Sequence, residues 1–281
     1  LEFGAHVTLD TVDPVTRNPG VFEGRSVFVR IDPGQGRGHH EHVRTGGTLS
    51  KFGIPLDEAP DALQTLRNAG VTVAGLHAHA GSGVKGATSW RDTAYTLASL
   101  RSECPELRYI DVGGGIAVPQ KPGESRVDLG ALDAALAEFR AVHDDVELWI
   151  EPGRYLVAEA GVLLATVTQR KTKADMAYVG VDAGMHTLIR PALYGAYHQI
   201  ENLSALGSGD KETVTVVGPI CETGDTLGRN RRIDRADVGD RLLIATTGAY
   251  GRVMSSSYNL RGWAQEWTLR GGELVAPSTV V

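Results

Sequence analysis

From residue 1 to about 155, short apolar runs alternate with amphipathic stretches, the pattern of parallel strands joined by crossover helices. The apolar runs predict strands at His6–Leu9, Val27–Ile31, Val71–His79, Leu107–Val112 and Val146–Ile150. Between them, Asp57 is placed to cap a helix whose Ala62, Leu63 and Leu66 share one face, and Gly70 supplies its stop. A second helix is predicted from about Ser89 to Leu100, with Ala94, Leu97 and Leu100 on one stripe. A third starts near Asp128 and buries Leu132, Leu136 and Phe139. After Pro152 the rhythm changes. Apolar segments at Tyr155–Thr168, Ala177–Val181, Thr213–Val217, Arg241–Thr246 and Trp263–Leu269 follow one another without crossover helices and predict a mostly antiparallel β domain.

The expected division is therefore 1–155 for an α/β part and 156–281 for a β part. A closed (β/α)8 barrel takes about 250 residues, roughly 31 per unit, so the first part holds about five units. On the barrel reading the first strands are missing. An open doubly wound sheet needs none, and the pattern leaves both open. The 281 residues carry 28 basic and 34 acidic side chains, a net charge of −6 without a basic block, which excludes the electrostatic footprint of a nucleic-acid binder. Two distant cysteines, Cys104 and Cys221, do not make a disulfide framework and fit a reducing compartment. No apolar run has the length of a membrane span, and the first residues lack the form of a signal peptide, so a cytoplasmic location is expected.

The 35 glycines change the picture, because many fall just after apolar runs, where backbone can approach a ligand closely. In Leu76-His77-Ala78-His79-Ala80-Gly81-Ser82-Gly83 the two histidines share one side of a strand. They read as a metal pair or as core imidazoles bonded to carbonyls. The Gly-Ser-Gly that follows suits a phosphate better than a cation. Asp111-Val112-Gly113-Gly114-Gly115 offers a run of backbone N–H groups able to hold an anion. In Glu151-Pro152-Gly153-Arg154 the acid and base are either a structural ion pair or a split site. In the split site Glu151 holds a proton on a heteroaromatic nitrogen while Gly153 and Arg154 grip a phosphate or carboxylate. A glutamate, a histidine face and a phosphate cradle together describe a site for pyridoxal phosphate. No metal is expected: Gly38-His39-His40-Glu41-His42 reads as a solvated Gly-rich loop.

In the second half, Arg190 and Tyr194 are four residues apart and sit on one face of a helical turn as a carboxylate reader, or mark a surface helix start at Pro191. Cys221-Glu222-Thr223-Gly224-Asp225 puts a thiol and two carboxylates in one loop, although a free cysteine is commonly buried and inert. Gly248-Ala249-Tyr250-Gly251 is a short aromatic loop.

In order along the chain, HVRTGG (42–47), SKFG (50–53), GLHAHAGSG, IDVGGG, EPGRYLVAEAG, VDAGMHTLIRPALYGAYH, VVGPICETGD and GAYGRVMSSSYN resemble the diaminopimelate decarboxylases. The GHHEHVRTGG form of one loop resembles in particular the decarboxylase part of bifunctional aspartate kinase/diaminopimelate decarboxylases, which implies a fused kinase domain. The resemblance implies a fold type III pyridoxal 5′-phosphate enzyme: an alanine-racemase-like (β/α)8 barrel, here lacking its first strands, followed by an antiparallel β domain. It also implies a homodimer with shared active sites. By motif, His79 stacks on the cofactor ring, Ser82 holds its phosphate, and Gly113, Gly114, Gly115, Gly153 and Arg154 complete the phosphate cradle, with Arg154 shared with substrate. Glu151 pairs with the ring nitrogen, Tyr250 approaches the cofactor, and Arg190 and Tyr194 read the distal carboxylate. From the partner subunit, Cys221 is the proton donor and Glu222 meets the distal amino group. The implied reaction is decarboxylation of meso-diaminopimelate to L-lysine.

One departure stands out. The family's Schiff-base lysine lies on the first barrel strand, which has no counterpart here, and none of Lys51, Lys85, Lys121, Lys171, Lys173 and Lys211 matches it. The chain is therefore expected to be a fragment of a longer enzyme, inactive by itself. The rival readings are a decarboxylase of the same fold acting on another amino acid, a noncatalytic homologue, and a metal-dependent hydrolase built on His77 and His79.

Overall fold

The computed structural model describes residues 3–34, the backbone of 37–38, and residues 50–276. The chain divides into two compact units, Leu1–Pro119 with Ser125–Leu156, and Gln120–Glu124 with Val157–Val281. The short stretch Gln120–Glu124 thus belongs with the second unit although it lies inside the first in sequence.

In the first unit the strands Thr8–Leu9, Ser26–Asp32, Thr72–His77, Tyr109–Asp111 and Glu147–Trp149 form one parallel sheet in that order, with Ile54–Pro55 added to Ser26–Asp32. The predicted strands are thus present, Ser26–Asp32 longer by one residue at each end and the other four shorter, because their apolar runs extend past the last ladder hydrogen bond. Helices follow the strands at Ala59–Asn68, Thr88–Ala98 and Leu129–Val142 and contribute Leu63, Leu66, Trp90, Leu97, Leu132 and Phe139 to the core. The cap at Leu129–Val142 is Asp128, whose carboxylate accepts from Ala131 N at 3.0 Å. The cap expected from Asp57 is corrected: Glu58 occupies the cap of Ala59–Asn68 without a side-chain bond, and Pro60 in the first turn sets the start instead.

One face of this sheet carries Phe28, Tyr109 and Trp149, with His6 beside them. Phe28 stacks on Tyr109 at 5.4 Å between ring centres, and Tyr109 lies 4.8 Å from Trp149. Gly75 sits mid-strand because the Phe28 ring covers it: a Cβ there would come within 2.6 Å of that ring.

The second unit is a six-stranded sheet ordered Ile200–Asn202, Arg241–Ile244, Leu163–Lys173, Met176–Val181, Lys211–Val217, Thr226–Asp234. Its pairings are antiparallel except that Met176–Val181 runs parallel to Lys211–Val217, joined by a connection long enough for a crossover. Val167, Val179, Val214, Val216, Leu242 and Ile244 fill its core. Two local expectations are corrected. Gly153–Val157 is a helix and Ala158–Ala160 a 3-10 turn, so the strand predicted from Tyr155 begins only at Leu163; a short apolar run has no period that separates helix from strand. Trp263 is half exposed and outside any strand, and the pairing there is a hairpin of Thr268–Arg270 with Glu273–Val275.

Candidate functional site

The register of the first sheet decides which side chains meet. Arg30 pairs with His77, His77 with Asp111, and Asp111 with Trp149, so Arg30, His77 and Asp111 stand in a row at the carboxyl ends of their strands. Glu151 follows Trp149 by two residues. The loops beyond are laced by backbone bonds from Ala78 N to Asp111 O and from Glu151 N to Gly113 O, both at 2.9 Å. This is the end of an open parallel sheet where ligands are bound as a rule.

The glycines permit the lacing. A Cβ on Gly114 would lie 2.0 Å from Glu151 O, and one on Gly115, at φ +86°, would lie 1.9 Å from Gly81 O. Trp90 Nε1, on the helix behind, donates to Gly114 O at 3.0 Å and fixes the loop from below. Two of the backbone donors expected to face an anion bond within the protein: Gly113 N to Asp111 Oδ1 at 2.9 Å and Gly114 N to His79 Nδ1 at 3.0 Å. Gly153 N bonds Glu151 O at 2.8 Å, while a Cβ on Gly153 would meet nothing within 4 Å. The side-chain donors do converge: Arg154 Nη2 donates to Ser82 Oγ at 3.2 Å. A cation and a hydroxyl thus face each other at the strand tips, donors suited to a phosphate.

His77 and His79 do not act as a pair. His79 lies past the strand end, with its Nδ1 on Gly114, whereas His77 is buried with Nε2 3.4 Å from Glu151 Oε2. His77, Asp111 and Glu151 bring their side-chain heteroatoms within 4.8 Å of one another. The His77 contact holds the Glu151 carboxyl below its ordinary range, whereas burial raises that of Asp111. Burial, with Arg30 and His77 nearby, lowers the His79 imidazole, so it presents a neutral ring. A cavity of about 400 Å³ opens along this face, lined by His6, Thr8, Phe28, Asp111, Trp149 and Glu151 among others. Sequence reading passes over Asp111, although its place before three glycines was visible; only the register shows that it faces His77.

In the second unit, Arg190 opens the helix Arg190–Tyr194 and is buried, with Nη1 3.1 Å from His198 Nε2; His198 Nδ1 in turn lies 2.9 Å from Ala245 O. Tyr194 is half-buried at the end of that helix. Cys221 and Glu222 are exposed: Cys221 Sγ accepts from Asn259 Nδ2 at 3.3 Å and Glu222 accepts from the Tyr258 hydroxyl at 2.5 Å. Asp225, buried, holds the loop by accepting from Met185 N at 2.6 Å and Ile220 N at 2.7 Å. Tyr250 is partly exposed with φ +62°. His198, Tyr258 and Asn259 carried no isolated signal in the sequence, since each acts through a partner remote along the chain, and Asp225 was visible only as one of the two carboxylates of the Cys221 loop. The stretch His39–His42 and the HVRTGG segment lie outside the described residues. Among the described residues no helix is long and apolar enough to cross a membrane.

Residues 21–248 match the model described as pyridoxal-dependent decarboxylase, C-terminal sheet domain. Diaminopimelate decarboxylase of Methanothermobacter thermautotrophicus is 34% identical over 288 residues, covering 98% of this chain and 67% of the relative. That of Escherichia coli K12 is 37% identical over 283 residues, covering 95% and 67%. The crystal structure of diaminopimelate decarboxylase from Helicobacter pylori complexed with L-lysine superposes with a TM-score of 0.85 at 28% identity, covering 96% of this chain and 69% of that one. The chain thus spans about two thirds of the length of these relatives.

Proposed function

The chain belongs to the pyridoxal-dependent decarboxylases, in the diaminopimelate decarboxylase family whose lyases release carbon dioxide from meso-diaminopimelate to leave L-lysine, and on that footing we propose which of its residues do the work. The observation that carries the reading is the layout of the strand tips: the Ser82–Arg154 pair among the glycine loops, and the Glu151 carboxylate beside His77. These residues fit pyridoxal 5′-phosphate: a cation and hydroxyl for its phosphate, a carboxylate for its ring nitrogen and a neutral imidazole for its ring. Bound there, the cofactor supplies an electron-accepting ring that takes up the charge left as carbon dioxide departs.

Ser82 and Arg154 grip the phosphate, and Gly113, Gly114 and Gly115 let the loops close around it; the open space at Gly153 leaves room for its approach. Glu151, whose carboxyl stays ionised at neutral pH, holds a proton on the ring nitrogen and keeps the ring electron-poor. His79, a neutral imidazole past the strand end, would face the ring of the bound cofactor. For the second unit, taken by itself, we assign Arg190 and Tyr194 to the distal carboxylate of the substrate, Glu222 to its distal amino group, and Tyr250 to the cofactor. Supplied by the partner subunit of a dimer, Cys221 would give a proton to the carbon that lost the carboxylate. Arg190 supplies selectivity, since a substrate without a second carboxylate leaves a buried guanidinium unsatisfied. We further propose that the parallel sheet is part of an alanine-racemase-like barrel and that the protein acts as a homodimer.

The test is direct. Titrating the purified protein with pyridoxal 5′-phosphate should give saturable binding, seen as a change in the cofactor's absorption, that Arg154→Ala weakens. In the full-length enzyme, product analysis by mass spectrometry should find L-lysine from meso-diaminopimelate and no cadaverine from lysine. Absent binding to the whole protein would remove the assignment.

A further inference from the structure

A glutamate that must offer one oxygen in a fixed direction needs something to stop its three side-chain bonds from rotating. Glu151 lies just beyond its strand and its side chain is 56% exposed, so packing alone does not hold it. Among the described residues, the one ion-pair contact of this carboxylate is with His77 Nε2, 3.4 Å from Oε2. His77 is in the opposite situation. Its side chain is only 9% exposed, and neither Nδ1 nor Nε2 makes a well-aligned hydrogen bond. A buried imidazole with both nitrogens unsatisfied is unfavourable, and a small rotation of Glu151 would pair Nε2.

We propose that His77 is a positioning residue for Glu151: its Nε2 anchors Oε2 and so leaves Oε1 to face the ring nitrogen of the cofactor. The inference rests on the role given to Glu151 above. It explains a distance at the long end of hydrogen bonding, since such contacts tighten when the site is filled. It also explains why the register matters. Pairing sets His77 between Arg30 and Asp111, which with His79 and Glu151 complete the charged or titratable groups around it. Arg30 and Asp111 occupy the paired positions on the neighbouring strands, so the placement of His77 is set by the sheet rather than by a loop.

The experiment uses the whole protein loaded with pyridoxal 5′-phosphate labelled with nitrogen-15 in the ring, and reads the protonation of that nitrogen by its chemical shift. His77→Ala and the shape-preserving His77→Phe should move the signal toward unprotonated pyridine. His77→Gln, which returns a donor near the Nε2 position, should restore it. In turnover, kcat should fall about tenfold in the first two variants with KM within about twofold, the signature of an interaction needed during reaction rather than binding. If all three variants keep the parent signal, or if glutamine restores nothing, His77 does not position Glu151. Glu151→Gln separates the two claims. Loss of the protonated signal in that variant alone overturns only the role of His77, whereas an unchanged signal there overturns the role of Glu151 itself. His77→Phe keeps a ring in the buried position, so the test stands if the alanine variant does not fold.

Discussion

Ser82 and Arg154 lie 72 positions apart in sequence, yet the guanidinium Nη2 of Arg154 donates to the serine hydroxyl at 3.2 Å. Each arises from a different strand end, Ser82 after Thr72–His77 and Arg154 after Glu147–Trp149, two strands away in the sheet. Removing the cation with Arg154→Ala should weaken pyridoxal 5′-phosphate binding by about 10- to 100-fold, the worth of about 1.5–3 kcal/mol for a charged hydrogen bond. Ser82→Ala should have a smaller effect in the same titration. Equal affinity in the parent and both variants would place the phosphate elsewhere.

Glycines of the same motif family serve different ends, and substitution separates them. Gly115→Ala would force a Cβ to 1.9 Å from Gly81 O at φ +86°, so it should lower unfolding free energy by about 3 kcal/mol or more. Gly153→Ala has open space around its Cβ and should leave stability within about 0.5 kcal/mol while weakening cofactor binding. Urea denaturation together with the absorption titration reads both.

Asp225 is buried and accepts from the backbone of Met185 and Ile220. Asp225→Ala should orphan both amides and cost about 2–5 kcal/mol. The urea midpoint of the second unit should shift with its slope unchanged. A shift no larger than that of an exposed control would mean that the loop re-pairs without it.

The His79 imidazole, lowered by burial and by Arg30 and His77 against the opposing pull of Glu151, binds a proton less readily folded than unfolded. Below about pH 6.5 the unfolded chain therefore takes up more protons, and stability falls as pH drops until the folded pKa is passed. Denaturation at pH 7.5 and 5.5 should show a larger loss for the parent than for His79→Gln. Similar losses would mean that His79 is not buried against charge.

Burial pushes the Cys104 thiol up to about 12, so alkylating reagents at pH 8 should leave it unmodified until the protein unfolds. Peptide mapping after labelling with and without denaturant tests this directly.

The motifs at the strand tips were legible because each is local. Gly-Ser-Gly after a strand, three successive glycines and Glu-Pro-Gly-Arg all announce a backbone that must turn tightly or lie close to something. Alternating apolar runs and amphipathic stretches likewise marked the parallel sheet, since strand and crossover helix each leave a period in the chain. Tyr155–Val157, the end of the helix Gly153–Val157, was misread as strand because so short a helix shows no period.

What the residue order determined by itself was therefore the inventory: which side chains stand at which strand ends, and where the backbone must be free of Cβ atoms. Folding in three dimensions alone decided the partners. That His77 meets Glu151 rather than His79, that Asp111 stands beside it, and that Met176–Val181 runs parallel to Lys211–Val217 are consequences of register between distant strands. Register is set by packing whole faces against the core, an energy spread over many residues that no short stretch of sequence carries.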